Sequence, residues 1–465
     1  MLLASKNFSE SFLSKIPKEM KKLVLLLLVL HILKAGNLSF AANYSADAAK
    51  ELQAPGSSQL ISDWINVHLA AIRNCKIPSH HMRQLAYMGT ALYESVVAGV
   101  PEYVSLANQL NGYTTLPIVP NDKDFSWQAS ANAAYAATFR YFYAENTLTL
   151  KRIDSMEQAC INKLVSQGIS DAAIRNGSQY GANVAKAVID WSNTDGADKI
   201  SAPYTIPVGP GYWEPTPPAF IPPIIPYMGS CRTFVKGSTD NAFPQPPIAY
   251  SEDPQSPFYK MVDELYQSSK VKDAANIATA LFWDDFPNGM TLTGGGHWES
   301  ILKTVINQLN MSLIEAARVY AGLFITAQDA SIGCFKAKYT YNLLRPVTYI
   351  QKTMKHPEWN PLIITPPHPE YPAAHATISM SAATILTHLL GNNIDFTDNS
   401  YSYRGYKAHH FNNFVEAGTE AGLSRFYGGI HYKPSIKAGY EQGRKIGDNV
   451  AKVLVFKKTE QMTER

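Results

Sequence analysis

Residues 202–228, APYTIPVGPGYWEPTPPAFIPPIIPYM, hold nine prolines. Proline locks φ and removes a backbone donor, so this density forbids both a helix and a central strand. The chain must therefore break here, whatever it does on either side. A solvated spacer would be low in complexity, yet this stretch also carries Trp213, Phe220, Ile221, Ile224, Ile225 and Tyr227. Its apolar content predicts an ordered, packed crossover between two halves of the fold, placed to line a cleft.

Both flanks have helical periodicity. Residues 58–100 read as two helices: SDWINVHLAAIRNC, with Ser62 as a candidate N-cap, and SHHMRQLAYMGTALYESVVAG up to a glycine stop. SWQASANAAYAATFRYFYAE and RNGSQYGANVAKAVIDWSNTDG also read as helices, with small residues that favour close contacts. Beyond the crossover, helices are predicted over 256–269, 272–285, 297–308 and 311–343, and after a loop of 346–374 over 375–390, 407–425 and 434–455. Strand patterning is almost absent, so the fold class is mainly α, built from helical bundles.

A chain that is 46% apolar and 17% charged can bury a large core. The formal net charge of +3 misleads, because residues 1–42 carry six lysines against two glutamates and leave the remainder at −1. No basic run is interleaved with aromatics, so nothing points to a nucleic-acid partner. Met20-Lys21-Lys22, the apolar run Leu23 to Leu33, and the small residues Ser39 and Ala41 around Phe40 have the order of an export signal. The run is shorter than the roughly 20 residues that span a bilayer; a retained anchor is the alternative, and Met20 is a second candidate start. The expected location is periplasmic or secreted. Cys75, Cys160, Cys231 and Cys334 match no zinc spacing and leave disulfides and buried free thiols both open. The expected organisation is a leader over 1–42, a helical region over 43–200, the crossover over 201–253, a catalytic helical domain over 254–457 and a polar tail over 458–465.

Three segments carry chemistry. Lys338 and Arg345 are seven apart, which on a helix puts two cations on one face, and their Tyr- and Leu-rich surroundings predict burial that needs an anion. His375 follows Pro372-Ala373-Ala374 at the start of a predicted helix, where free amides and the dipole seat an oxyanion. Ser424-Arg425 is followed by Gly428-Gly429 and His431; the guanidinium fork matches a tetrahedral oxyanion, and the imidazole is a nucleophile or a ligand. Each alone also reads as ordinary capping or packing.

Lys-x6-Arg-Pro, then Pro-x-x-His, then Ser-Arg-x5-His, in that order, resembles the signature of the superfamily joining type 2 phosphatidic acid phosphatases, bacterial acid phosphatases and vanadium-dependent haloperoxidases. FWDDFPNGMTLTGGGHW (282–298) and the long helix through Asp329 are similar to its haloperoxidase-related soluble branch. The resemblance implies an oxyanion held by Lys338, Arg345, Arg425 and the backbone at Ala373 and Ala374, with His431 as vanadate ligand or phosphoryl nucleophile and His375 as the opposite acid–base. Vanadate is the implied cofactor, and the implied substrates are small molecules: halide and peroxide, or a phosphomonoester.

This chain departs from the family pattern at two points. Ala373-Ala374 stand where the family has Ser-Gly, removing one charge-assisted hydrogen bond worth about 1.5–3 kcal/mol. Ser435 stands where an Asp would hold the far nitrogen of His431, leaving Ser424, Glu416 or Glu420 as candidate substitutes. A non-catalytic oxyanion-binding protein is therefore a third reading beside peroxidase and phosphatase. Asp284 and Asp285 read as an acidic pair, as orienters of His375, or as helix-end residues. His297, after Gly294-Gly295-Gly296, reads either as a residue that approaches the site or as a helix-start residue, His80 and His81 as capping or surface residues, and His409 and His410 as exposed.

Overall fold

The computed structural model describes residues 46–74, 81–120, 124–286 and 289–459. The leader, Cys75, His80 and the end of the polar tail lie outside the described residues. The first half contributes α1 (Ala46–Gln53), α2 (Gln59–Asn74), α3 (His81–Glu94), α4 (Trp127–Phe142), α5 (Thr147–Ser166) and α6 (Asp171–Ser192). The second contributes α7 (Pro257–Val271), α8 (Ala274–Phe282), α9 (Thr293–Gln308), α10 (Leu313–Tyr341), α11 (Pro346–Lys352) and α12 (Ala374–Leu390), then β1 (Phe396–Asp398), β2 (His409–Phe411), α13 (Phe414–Tyr427) and α14 (Lys433–Val453).

Many helix starts are written locally. The side chains of Ser126, Asn146, Ser170, Ser256, Asp273, Ser312 and Asn413 each accept a backbone N–H two or three residues into the helix that follows. Ser62 is not such a cap, because α2 begins at Gln59, a turn earlier. The predicted loop of 346–374 contains α11, opened by Pro346. The predicted 407–425 helix begins only at Phe414, because His409–Phe411 pairs antiparallel with Phe396–Asp398.

Two bundles share α10. In the first half α4 packs along α6 and α3 packs on α10; in the second, α12 packs against α10, α13 and α14. The 29-residue α10 is buried along nearly its whole length, with Tyr320, Phe324, Asp329 and Lys338 all without solvent contact. Asp329 accepts backbone N–H bonds from Phe234 (2.6 Å) and Val235 (3.0 Å), which tie the end of the crossover region to mid-helix.

The proline-rich segment is ordered and packed. Ile225, Met228 and Cys231 join Ile332 and Phe335 of α10 in one apolar cluster, and Trp213 is fully buried. Trp213 N donates to Asn342 O (2.7 Å) and Ile224 N to Pro367 O (3.1 Å). Cys160, Cys231 and Cys334 are free and buried. Among the described residues no helix is long and apolar enough to cross a membrane.

The contact between α12 and α14 depends on Gly439, Gly443 and Gly447, one helical turn apart. A Cβ on Gly443 would stand 2.2 Å from Thr377 O, and one on Gly439 2.8 Å from Ala373 O. Gly443→Ala must push α14 off α12, because the atom it meets is backbone. We expect a loss of about 1–3 kcal/mol, read as a lower denaturation midpoint.

Candidate functional site

The three sequence segments converge on the N-terminal end of α12. Ala373 is its N-cap with extended backbone, and its N–H donates to Ser435 O (3.1 Å). His375 lies in the first turn, where amides have no intrahelical partner. Arg425 ends α13, Gly428 and Gly429 turn the chain, and His431 precedes Pro434 at the start of α14. Gly429 has φ +80° and sits against Pro361, so the turn needs a glycine.

Lys338 and Arg345 do not share a helix face. Asn342, in the left-handed conformation (φ 48°), ends α10 at Tyr341, and Pro346 disfavours helical backbone at Arg345. They converge by another route. Lys338 Nζ donates to Pro369 O (2.8 Å) and Glu370 O (3.0 Å). Arg345 donates to His368 O (2.9 Å), Ile430 O (3.0 Å) and Pro366 O (3.2 Å). Both cations are fully buried.

His431 has a defined tautomer. Arg345 Nη1 lies 3.1 Å from His431 Nε2, and a guanidinium only donates, so Nε2 accepts. Nδ1–H then donates to Glu370 Oε1 (2.8 Å). Glu370 also accepts from Tyr432 N (3.1 Å) and Ser435 Oγ (2.7 Å). Glu370 therefore holds the far nitrogen, and Ser435 holds Glu370. The candidate substitutes are occupied elsewhere: Ser424 Oγ bonds Ala421 O, Glu416 bonds Asn412, and Glu420 bonds Trp283 and His409. Glu370 precedes His431 by 61 residues, so local spacing does not reveal the pair; its only signal in the sequence is an acidic residue inside the proline-rich motif before His375.

On the other side, Asp285 Oδ2 accepts from His375 Nε2 (3.2 Å), and Oδ1 accepts from Tyr401 OH (2.6 Å) and His297 Nδ1 (3.0 Å). His297 Nε2 donates in turn to Asp398 Oδ2 (2.8 Å). With a carboxylate on each nitrogen, His297 is a buried imidazolium: burial opposes the charge, but Asp285 and then Asp398 raise its pKa to about 10. For Asp285, burial is outweighed by His297 and His375, which hold it below the carboxylate range. The ring of Trp283 stacks on His297, and its carbonyl accepts from Arg425 Nη1 (2.6 Å). His297 is thus part of the site's support, not simply a helix-start residue. His81 is not a surface residue either; it meets Thr293 Oγ1 (2.7 Å) at the cavity wall. His409 is stacked on Phe282, while His410 is exposed.

His375, His431, Arg425, Asp285 and Ala374 face one cavity of about 370 Å³. Burial, then Arg425, lowers the His375 pKa to about 4, so the imidazole is neutral at neutral pH. Because Nε2–H points at Asp285, Nδ1 is its basic atom. Burial and the neighbouring cations also depress His431. All three site cations are depressed chiefly by burial: Lys338, Arg345 to about 10, and Arg425. Arg425 Nε is buried with no hydrogen-bond acceptor. Buried cations of this kind suit an anionic partner.

A family model described as the VCPO second helical-bundle domain matches residues 318–457. Among solved structures, the chain is similar to one titled the first bacterial vanadium-dependent iodoperoxidase, with 32% identity, 86% of this chain and 97% of that chain covered, and a TM-score of 0.78. It shares the fold of an apo-type bacterial vanadium-dependent chloroperoxidase (12% identity, 82% and 95% covered, TM-score 0.64). The holo-type bacterial chloroperoxidase is similar at 13% identity, with 91% and 97% covered and a TM-score of 0.61. No curated protein matches.

Removing His297 leaves Asp285 and Asp398 buried and uncompensated. His297→Gln is expected to cost about 3–5 kcal/mol, measured by chemical denaturation at neutral pH. Because the folded pKa lies above the unfolded one, wild-type stability from His297 is complete below about 6.5. It is lost as pH rises toward about 10. The variant should lack that alkaline slope.

Proposed function

Because the chain belongs to the superfamily of vanadium haloperoxidases and type 2 phosphatidic acid phosphatases, in its haloperoxidase-related branch, we propose that it is an exported enzyme that oxidises halide with hydrogen peroxide at a bound vanadate. The observation that carries this reading is the His431 arrangement: Nδ1–H is committed to Glu370, so the lone pair is at Nε2, beside Arg345 and on the cavity. The unpaired Arg425 Nε and the depressed site cations fit an anionic group. Arg425 and the backbone at Ala373 and Ala374 would hold vanadate, with His431 Nε2 as its protein ligand, while Lys338 and Arg345, whose N–H groups are committed to carbonyls and imidazoles, would supply positive charge from behind. When bound, vanadate supplies a Lewis acid that activates peroxide toward halide.

The chain's own residues handle protons and charge. His375 is neutral with Nδ1 free to accept, so it would take a proton from incoming hydrogen peroxide and return it to departing water. Asp285, Tyr401 and His297 hold the imidazole in that tautomer. Overall, halide, peroxide and one proton give hypohalous acid and water, which balances. Ala373-Ala374 still lacks a donor hydroxyl. The Ser435 departure counts less against turnover, because Glu370 takes the expected carboxylate's part. In this reading residues 254–457 are the catalytic domain, joined by the 201–253 crossover to the helical region of 43–200, and 1–42 direct export.

The test is orthovanadate-dependent oxidation of iodide or bromide by peroxide, run beside hydrolysis of a chromogenic phosphomonoester. His431→Ala is expected to abolish the oxidation. Vanadate-inhibited phosphate release without oxidation would move the assignment to a phosphatase working through His431 Nε2, and neither reaction would leave a binding protein. Glu370→Ala is expected to weaken vanadate binding by about 10–100-fold, measured by equilibrium dialysis.

A further inference from the structure

The wall of the cavity that holds His375 and His431 also contains a thioether. Met228 lines it together with Gln328 and Phe335, on the short helical turn Met228–Ser230 at the end of the proline-rich segment. Its exposure to bulk solvent is 2%, so reagents in solution reach it poorly, whereas a small molecule formed inside the cavity meets it directly. A thioether is polarisable and readily oxidised to a sulfoxide. The free thiols Cys231 and Cys334 are buried and do not line the cavity. One neighbour is also placed for the product. Gln328 Nε2 donates to Met228 Sδ (3.8 Å), and Gln328 is itself buried. An oxygen added to this sulfur would be a buried acceptor in the apolar cluster of Ile225, Ile332 and Phe335, which is costly without a donor. The Gln328 N–H already points at the atom that would carry it. Met82 lines the same cavity, but its methyl end lies against Gly295.

We propose that Met228 is an oxidation site of this chain: hypohalous acid formed in the cavity converts its thioether to the sulfoxide, whose oxygen Gln328 then holds. The proposal rests on the haloperoxidase reading, which supplies the oxidant. Oxygen passes from hypohalous acid to sulfur, sulfur loses two electrons, and the halogen leaves as halide with release of one proton. The step consumes oxidant that stays in the cavity and puts a polar group on an apolar wall. Thiol-dependent reduction is the chemistry that reverses it.

The test is peptide mass spectrometry of the full chain, equilibrated with orthovanadate, after turnover of iodide or bromide with peroxide. Oxidised halogen is measured in the same tube. Met290, 60% exposed and outside the cavity, is the internal reference. During turnover the sulfoxide fraction at Met228 is expected to run severalfold above that at Met290 and at Met82. Hypohalous acid added from outside to the resting chain should reverse that order and oxidise Met290 first. Met228 should stay unmodified when halide is omitted and in His431→Ala given the same peroxide and halide. A chain that forms oxidised halogen while Met228 lags Met290 or Met82 overturns the oxidation site and leaves halide oxidation standing. Met228 sulfoxide formed by peroxide without halide overturns the hypohalous route. A chain that forms no oxidised halogen and leaves Met228 unmodified overturns the proposal together with the haloperoxidase reading.

Discussion

The Glu370 carboxylate lies out of solvent among His431 Nδ1, Tyr432 N and Ser435 Oγ, while its own carbonyl accepts from Lys338. Those contacts bind the end of α10, the loop before α12 and the turn into α14 through one residue. Burial pushes the Glu370 pKa up, but Lys338 and Arg345 oppose that rise, and the same burial depresses them. Neither sign of charge is stable there alone. Arg345 fixes the other side by giving its N–H groups to three backbone carbonyls and two imidazoles, so its planar fork is spent on geometry as well as charge.

A second charged chain supports the opposite face. Asp398, His297 and Asp285 alternate in sign and end at His375. A lone carboxylate beside His375 would raise the imidazole pKa; sharing Asp285 with a buried imidazolium and a tyrosine hydroxyl reduces that pull. Burial and then the Arg425 charge lower the His375 pKa, and the shared Asp285 opposes them only weakly. The little β1–β2 hairpin has a purpose here, because it carries Asp398 to His297. Gly295 does similar work nearby: a Cβ there would stand 2.5 Å from His81 Nε2.

Helix periodicity, cap residues and the order of the three motifs were all legible locally. The 3.6-residue period located most helices, and local side-chain-to-backbone capping marked several starts. The proline-rich segment was legible as packed because its apolar content contradicted its breaker content. Other features escape local spacing. Spacing alone puts Lys338 and Arg345 on one helix, because it cannot show that Asn342 turns left-handed. Nearness in the chain favours Glu416 and Glu420 as partners for His431, whereas Glu370 reaches it only through the fold.

By itself, then, the amino-acid sequence determined the mainly helical class and the break at 202–228, since these follow from backbone sterics and short-range periodicity. Only the tertiary structure decided how the nitrogens of each histidine are paired, which carboxylate serves which imidazole, and that His297 carries a charge. Those properties depend on desolvation and on distances between groups 12 to 101 residues apart, and electrostatic energy follows separation in space, not along the chain.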